Sequence, residues 1–570
     1  GLNNEHGKMA LGKLTLSGSE LNNQSGQLSV READIQTDTI NNQKGQLYAS
    51  ESLKAKTQVL NNQLGSIQAV NLLDLNSTST HNVQGEIGSQ QQLSLNGQSI
   101  DNNSGAIFSE QGSVTIDASS QLNNTHGQIQ AKQQLVAQTA QLSNTQGQLT
   151  AQTLNLKSQN IQNAEGLLQA EGSLTIDADG GILNNQNSGA QGGILAKQDI
   201  SIQNAAEIQN QQGLIGSQKA TDLQGTQLQN QQGQILSGAD LNIQAQLVQN
   251  KTGSMQSGND LKIKADTLNN SAATAQGSHI SAGGNLTIQA LEVDNSGTKT
   301  TQSQGLDAKT IQLEAQSLNN TQGALRAEQL AKLNIENDLN NQKGLISSQH
   351  SAAISGEQLK LDNSQGLIAA QDSLKLTTSA DLENAGQLMS LKDAEIQAKN
   401  IRNAQGAEIF ADNNLKLQAS VIENSGSLTA GKQLSSNSEV LLNTATGQIL
   451  ASHVQMKATD RILNQGLINA DWTELRTNTL TNQGARIYGT DVSIQAETLN
   501  NEADVEGKAA VLASRQDMHL GVQQLHNKAN VQDYDSRNII SSGRDLVIGG
   551  ELNTQGQAIG EAAYIYNGSS

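Results

Sequence analysis

Cysteine and proline are absent from this sequence, and aromatic residues are nearly absent. The 570 residues include one Trp, five Tyr and two Phe. Without cysteine the fold cannot be a disulfide scaffold. Without proline there is no Pro-rich linker, and every backbone N–H can join a β-ladder. Because aromatic side chains dominate most globular cores, we expect a thin core built from Leu, Ile, Val and Ala.

Basic charge and long apolar runs are also scarce. The chain has 34 Lys and Arg against 53 Asp and Glu, a formal net charge of −19. No basic run is interleaved with aromatic residues, so we expect no nucleic-acid partner. No apolar stretch approaches the ~18 residues that a spanning helix needs, so we expect a chain that is not membrane-spanning. Residues 1–4 lie inside a repeat and carry no signal peptide. We expect the chain to be a piece of a longer protein, so this absence is uninformative.

The sequence does contain a repeat of about twenty residues, aligned on the motif (Leu/Ile)-x-Asn-x-x-Gly. We count about 27 occurrences between Asn4 and Asn553, with Thr444 replacing the asparagine once. The predicted asparagine ladder includes Asn4, Asn23, Asn42, Asn62, Asn82, Asn102, Asn124, Asn144, Asn163, Asn230, Asn320, Asn341 and Asn363. The predicted corner glycines include Gly26, Gly45, Gly65, Gly127 and Gly147.

Each repeat holds three short apolar alternations, such as those at residues 47–49, 53–55 and 59–60. Period-two alternation indicates a strand with one buried face. Three strands and three corners form a triangular coil, and coils stack as parallel strands about 4.8 Å apart. Parallel crossovers strongly favour the right hand. The predicted fold is therefore all-β, a right-handed parallel β-helix of about 27 triangular coils of roughly 19–26 residues each.

The repeated asparagine and glycine are expected to shape one corner of the coil. Asn tolerates the left-handed backbone region that a sharp bend needs. Stacked amides can also hydrogen-bond from coil to coil. We expect the glycine three residues later to relieve the next tight bend.

The repeats at residues 21–28 (LNNQSGQL) and 60–67 (LNNQLGSI) resemble the filamentous haemagglutinin repeats of two-partner-secretion exoproteins. That family includes Gram-negative filamentous adhesins and the stalks of contact-dependent growth inhibition toxins. The resemblance implies export through an outer-membrane two-partner-secretion transporter and folding as a filament on the bacterial cell surface. It also implies a flanking module, outside this sequence, that would engage a target-cell receptor.

The regularity breaks at one corner and towards residue 570. Extra residues follow the ladder asparagine at 186–192, 271–277, 296–305, 502–510 and 528–538. Insertions into a solenoid form loops on one edge, and they represent either tolerated drift or a recognition edge. We divide the chain into a regular shaft, residues 1–500, and less regular coils, residues 501–570, that approach a different module and contain Tyr534, Tyr564 and Tyr566.

Half of the aromatic residues occupy one position of the repeat. Tyr48, Phe108, Phe410 and Tyr488 each follow the first inward apolar residue, so alternation turns them outward. They could cover the face locally or bind a partner. Because they lie many coils apart and form no single patch, we favour local packing.

Residues with catalytic or metal-binding chemistry are dispersed. Enzymatic β-helices need clustered charges or paired carboxylates, whereas Asp74, Asp117, Asp177 and Asp266 occur singly at corners. His519 and His526 lie seven apart and are a weak candidate for a metal pair. We therefore expect no enzyme activity, no cofactor and no metal site.

Two functions from different classes remain. The first is a structural stalk that projects a distal adhesive or toxin-delivery element towards a target cell. The second is a direct adhesin whose corner loops or flat faces bind host glycans, host proteins or sister filaments. The polar outer faces favour the stalk, whereas the insertions near 271–305 and 502–538 favour the adhesin.

Overall fold

A computed structural model describes residues 1–272, 277–299, 304–528 and 537–568. All regular elements among these residues are β-strands. The described residues therefore contain no helix long and apolar enough to cross a membrane. In each unit parallel strands stack as a β-solenoid, with about 25 turns in total. The predicted all-β parallel architecture is thus confirmed, with slightly fewer turns than the motif count of about 27. The chain forms two compact units, Gly1–Ala290 (unit 1) and Leu291–Ser570 (unit 2).

The strands of unit 1 are β1 (Leu2–Asn3), β2 (Lys8–Asn22), β3 (Gln27–Asn41), β4 (Gln46–Asn61), β5 (Ser66–Ala69), β6 (Leu72–His81), β7 (Glu86–Ser89), β8 (Gln92–Asp101), β9 (Ala106–Ser109), β10 (Ser113–Asn123), β11 (Gln128–Ala131), β12 (Gln134–Ser143), β13 (Gln148–Ala151), β14 (Thr153–Gln162), β15 (Leu167–Ala170), β16 (Leu174–Asp177), β17 (Ile182–Asn184), β18 (Gly193–Ala196), β19 (Ile200–Gln209), β20 (Leu214–Ser217), β21 (Thr221–Gln229), β22 (Gln234–Ser237), β23 (Leu241–Gln244), β24 (Leu247–Gln249), β25 (Ser254–Ser257), β26 (Leu261–Lys264), β27 (Thr267–Asn269) and β28 (His279–Gln289).

The strands of unit 2 are β29 (Glu292–Asp294), β30 (Gly305–Asn319), β31 (Ala324–Asn340), β32 (Leu345–Ser348), β33 (Ser351–Gly356), β34 (Lys360–Asp362), β35 (Leu367–Ala370), β36 (Ser373–Thr378), β37 (Leu382–Asn384), β38 (Gln387–Ser390), β39 (Asp393–Gln397), β40 (Asn400–Asn403), β41 (Glu408–Ala411), β42 (Asn414–Gln418), β43 (Val421–Asn424), β44 (Ser427–Ala430), β45 (Gln433–Asn443), β46 (Gln448–Asn464), β47 (Leu467–Gln483), β48 (Arg486–Gly489), β49 (Asp491–Glu502), β50 (Val511–Ser514), β51 (Met518–Lys528), β52 (Ile539–Ser542), β53 (Leu546–Gly549), β54 (Glu551–Leu552), β55 (Ala558–Ile559) and β56 (Tyr564–Asn567).

The core of unit 1 consists of aliphatic columns that run through successive coils. Strand β4 passes through all three strand positions of its coil and buries Leu47, Leu53 and Leu60. Leu47 is in register with Leu28 of the preceding coil, and Leu60 is in register with Ile40. Full burial of one Leu or Ile side chain stabilises the folded state by about 1.5–3 kcal/mol relative to leaving it exposed. Each coil therefore depends on its neighbours to complete the burial of its inward side chains.

Unit 2 repeats this arrangement in β46 and β47. Ile449 is in register with Ile468, Met456 with Leu475, and Ile462 with Leu480, and all are buried. Strand β49 pairs in parallel with β51 of the next coil, and the paired residues of β49 lie on both sides of residue 500. The sequence-based division between residues 500 and 501 stays a prediction. The boundary between the two compact units is a separate feature and lies between Ala290 and Leu291.

One segment of unit 2 leaves the parallel stack. Strands β54 and β55 pair antiparallel, with Leu552 opposite Ala558. Asn553 begins the turn of this hairpin, so its assignment to the repeated asparagine column was wrong. Thr444 was also assigned wrongly, because Asn443 occupies the ladder position in that coil. A short hairpin and a coil corner can have the same local sequence. Only the register of the neighbouring strands distinguishes them.

Candidate functional site

The most regular polar feature of both units is a ladder of buried asparagine side chains. Each Nδ2 donates a hydrogen bond to the Oδ1 of the asparagine in the next coil, as Asn42 does to Asn62 at 2.7 Å. In unit 1 the ladder consists of Asn4, Asn23, Asn42, Asn62, Asn82, Asn102, Asn124, Asn144, Asn163, Asn185, Asn210, Asn230, Asn250 and Asn270. In unit 2 the buried members are Asn295, Asn320, Asn341, Asn363, Asn384, Asn403, Asn424, Asn443, Asn464, Asn482, Asn501 and Asn527. Asn527 in turn donates to the exposed Asn567.

Backbone carbonyls add to the hydrogen bonding of the ladder amides. The Nδ2 of Asn42 also donates to the carbonyl oxygens of Gly45, at 3.2 Å, and of Ser66, at 3.0 Å. A buried amide without partners would cost several kcal/mol. Asn fits this position because its short side chain carries both a donor and an acceptor. The ladder therefore links neighbouring coils without leaving a polar group unsatisfied.

The sharp backbone bend lies two residues after the ladder asparagine. Positive φ angles occur at Ser25 (52°), Lys44 (56°) and Leu64 (57°), whereas the ladder asparagines do not adopt this region. The prediction that Asn itself occupies the left-handed region was therefore wrong. Its inward position and its amide ladder account for the asparagine instead. The bend is tolerated at several residue types because neighbouring coils repeat it and share its hydrogen bonds, such as Lys44 N to Gln63 O at 3.0 Å.

The corner glycines are required by space and not by backbone torsion. None of the predicted corner glycines has a positive φ, which corrects the expectation that they relieve a bend. A Cβ on Gly45 would lie 2.1 Å from the carbonyl oxygen of Asn23 and 2.7 Å from the Oδ1 of Asn42. The same close approach to a ladder asparagine of the preceding coil occurs at Gly26, Gly65, Gly127 and Gly147. The glycine therefore lets the corner of one coil rest on the ladder of the coil before it.

The four aromatic residues of the predicted outward column have different surroundings. In unit 1, Tyr48 is 42 % exposed. The ring of Phe108 lies over Gly88 of the preceding coil, and a Cβ on Gly88 would be 2.4 Å from that ring. In unit 2, Phe410 is in register with Met389, and Tyr488 is in register with Asn469. Both are partly buried. Phe108 thus packs locally on its own face.

The insertion after Asn501 forms an ordered loop in unit 2. Asp504 Oδ1 accepts hydrogen bonds from the backbone N–H groups of Glu506, at 3.0 Å, and Lys508, at 2.8 Å. These bonds hold Val505 at the tip of the loop, where it is 93 % exposed. In unit 1, the insertion at 186–192 is tied to the ladder residue before it by Ser188, whose Oγ donates to the Asn185 carbonyl.

The other three insertions are described in part. Residues 273–276, 300–303 and 529–536 lie outside the described residues. Tyr534, which the sequence analysis singled out, is among them. In each unit, the flanking residues that are described place the insertion directly after a ladder asparagine, at the corner that the motif indicated.

Sequence reasoning missed a charged cluster around one buried carboxylate on the outer side of unit 2. Glu474 faces outward from β47, yet it is 5 % exposed. Its carboxylate accepts hydrogen bonds from Arg476 Nε at 2.7 Å and Gln455 Nε2 at 3.0 Å, and His453 Nε2 lies 3.7 Å away. The pKa of Glu474 falls to about 2, chiefly through His453 and further through Arg476 and Gln455, against the opposing effect of burial.

Trp472 completes this cluster. Its indole stacks on the His453 imidazole, with ring centroids 4.2 Å apart and an interplanar angle of 6°. His453 lies one coil before Trp472 and Glu474, so the three residues are not adjacent in the sequence. The repeat length would have placed His453 beside Trp472, because 19 residues is one coil. Among the described residues, no group of three or more His, Asp or Glu is placed to hold a metal ion.

A stack of parallel coils joined by buried ladders is a structural scaffold with polar outer faces, and this defines the class of protein. The chain belongs to the haemagglutinin repeat family. The family's model matches residues 7–58, 46–115, 109–186, 169–235, 220–275 and 358–419. Proteins with these repeats are typically secreted cell-surface adhesins, and the family is generally associated with two-partner secretion. Searches of curated proteins and of solved structures gave no match.

Proposed function

We propose that this chain is the stalk of a secreted exoprotein on the Gram-negative cell surface, exported through an outer-membrane two-partner-secretion transporter. In this role it holds a distal adhesive or toxin-delivery element at a distance from the cell that makes it. The repetition of one set of contacts along each unit is the observation that carries the proposal. A spacer needs continuity from coil to coil and no unique surface on any one coil.

The composition supports export as an unfolded chain. The absence of cysteine and the small number of aromatic residues fit passage through a narrow pore. Folding outside the cell then depends on adding one coil at a time, because each coil buries its Leu and Ile side chains against the coil before it.

Deletion of one complete repeat tests the stalk. Removing residues 43–62 joins Asn42 to Gln63 and keeps the sequence Asn41-Asn42-Gln63-Leu64-Gly65. We expect this variant to fold, reach the surface and act normally in the complete protein, with a stalk shorter by about 4.8 Å. Loss of function in a folded, displayed variant would overturn the proposal.

A half-repeat deletion is the matched control. Removing residues 43–52 places the middle strand of one coil over the first strand of another and interrupts the asparagine ladder. We expect it to reduce folding and surface display, because inward and outward side chains no longer align.

A direct adhesin is the second candidate, and the loop at residues 502–510 favours it. An exposed Val505 at the tip of a loop held by Asp504 can contact a partner at little entropic cost. Replacing Val505 with Asp should leave the fold intact and reduce binding to target cells. Unchanged binding by the folded variant would exclude this loop as the contact.

A further inference from the structure

The coil that contains β52, β53 and β56 is interrupted at a second corner. After β53 the chain leaves the coil at residue 551 and returns at residue 563. Gly549 is in register with Gly521 of the preceding coil, and Tyr564 is in register with Gln524. Ala563 N donates to the Gln523 carbonyl at 2.9 Å. Residues 551–562 are therefore a clean insertion, because Gly550 and Ala563 alone fill the places of Val522 and Gln523.

This inserted segment folds into a compact hairpin. Strands β54 and β55 pair antiparallel. The Oδ1 of Asn553 accepts hydrogen bonds from the backbone N–H groups of Gln555 and Gln557, both at 2.9 Å. Gly556, with a φ of 76°, completes the turn. The hydrogen bonds that shape this turn therefore lie within the hairpin itself.

The hairpin lies against the outer side of the preceding coils. Leu552 is 9 % exposed, and its N–H donates to Gln495 Oε1 of β49. Gly521 of β51 lies so close that a Cβ there would be 2.4 Å from the Glu551 carbonyl carbon. Gln523 Nε2 donates to the Gly550 carbonyl at 3.1 Å. These contacts reach β51 and β49.

The turn of the hairpin reaches one coil further. A Cβ on Gly556 would lie 3.1 Å from Ser493 Oγ and 3.6 Å from the Trp472 ring. Ser493 occupies the outward position in register with Glu474, and both side chains are buried. The hairpin thus crosses β51, β49 and the start of β47, and its turn lies beside the outer cluster around Glu474.

We propose that residues 551–562 are a clasp that fastens the coil of β52, β53 and β56 to the three coils before it. The ladder step in this coil, from Asn527 to Asn567, spans 40 residues, so longer loops must close before its strands can pair. Contacts across three coils offset that weakness, since opening β53 requires the clasp to leave all of them together. The clasp is a conformational device and is independent of whether the chain serves as stalk or adhesin.

Three variants of the full chain test the clasp. The first deletes residues 551–562, and the second replaces buried Leu552 with Asp. The control replaces Ile559 with Asp, on the same hairpin but 43 % exposed. Amide hydrogen exchange reports opening of β53, and acrylamide quenching of Trp472, the sole tryptophan, reports departure of the hairpin.

In the deletion and in Leu552→Asp we expect exchange in Leu546–Gly549 to accelerate about tenfold, equivalent to ~1.4 kcal/mol. In both variants Trp472 should become more accessible to acrylamide, while exchange in the distant strand Leu367–Ala370 stays unchanged. In the Ile559→Asp control, neither exchange in β53 nor quenching of Trp472 should change. Greater quenching of Trp472 without faster exchange in β53 would make the hairpin a passive surface loop. Unchanged quenching in the deletion variant would show that the hairpin does not dock on this face.

Discussion

Gly45 lies against the backbone of Asn23 in the preceding coil, with room for a hydrogen atom but not for a methyl group. A Cβ at Gly45 would be 2.1 Å from the Asn23 carbonyl oxygen, far inside contact distance. The φ of Gly45 is not in the left-handed region. The glycine is therefore required by the close approach of the two coils. The residue of this corner that adopts a left-handed φ is Lys44.

Replacing Gly45 with Ala should destabilise the local coil by about 1–3 kcal/mol, because the added methyl group displaces the backbone of Asn23. Amide exchange in Gln46–Asn61 would measure the change without assuming two-state unfolding. Gly12→Ala is the matched control, since a Cβ there meets nothing within 4 Å. Equal effects of the two substitutions would refute the close-approach explanation.

Replacing Asn62 with Ala should destabilise its coil by about 1–3 kcal/mol, the cost of leaving buried polar groups unpaired. The substitution removes the acceptor of Asn42 and the donor to Asn82 Oδ1. Local amide exchange should accelerate on both sides of the break. Asn76→Ala provides the control, because Asn76 is exposed and bonds within its own strand to Asp74.

The carboxylate of Glu474 should make the stability of unit 2 sensitive to acid. Its pKa is lowered from 4.5 to about 2 in the folded protein, so its favourable contribution is present above pH 4.5. That contribution is lost as the pH falls from 4.5 to about 2. Trp472 fluorescence and exchange in β47, followed across this window, would detect the loss.

Glu474→Gln should remove this part of the acid sensitivity and lower stability at neutral pH. Glu497→Gln, at an exposed position of β49, serves as the control for a change of net charge. If Glu474→Gln leaves both the neutral stability and the acid profile unchanged, the cluster with His453 and Arg476 does not stabilise this face.

Phe108 and Gly88 should show energetic coupling. Gly88→Ala introduces a Cβ 2.4 Å from the Phe108 ring. The ring must then move away from the outer face of β7. Phe108→Ala uncovers Gly88 but leaves room for the new methyl group. A double-mutant cycle on exchange in Glu86–Ser89 should give a coupling of about 0.5–3 kcal/mol. Additive effects would mean that the ring does not pack on Gly88.

The coil and its inward residues could be read from the sequence because both are local and periodic. Residues 47–49, 53–55 and 60 alternate along one coil, and the next coil repeats them. A side chain that alternates inward in every coil must stack on its counterpart in the next, as Leu47 does on Leu28. Parallel stacking and the position of the asparagine column follow from that repetition.

The corner needed three-dimensional contacts. The sequence of this corner is compatible with a left-handed conformation at either Asn23 or Ser25. Which residue adopts that conformation depends on which side chain finds hydrogen-bond partners inside the coil. Asn23 turns inward since its amide finds the ladder and the carbonyls of Gly26 and Gln46. Ser25 then takes the strained torsion, at a φ of 52°.

The sequence by itself determined the repeat, the parallel coils and the aliphatic columns, because these depend on alternation and spacing. Tertiary structure alone decided that Asn443 is a ladder member, that Asn553 belongs to a hairpin, and that Glu474 is buried on an outer face. Each of these depends on residues from different coils meeting at a particular register. Where the repeat length varies, the register between coils depends on many contacts at once, and the local motif does not specify it.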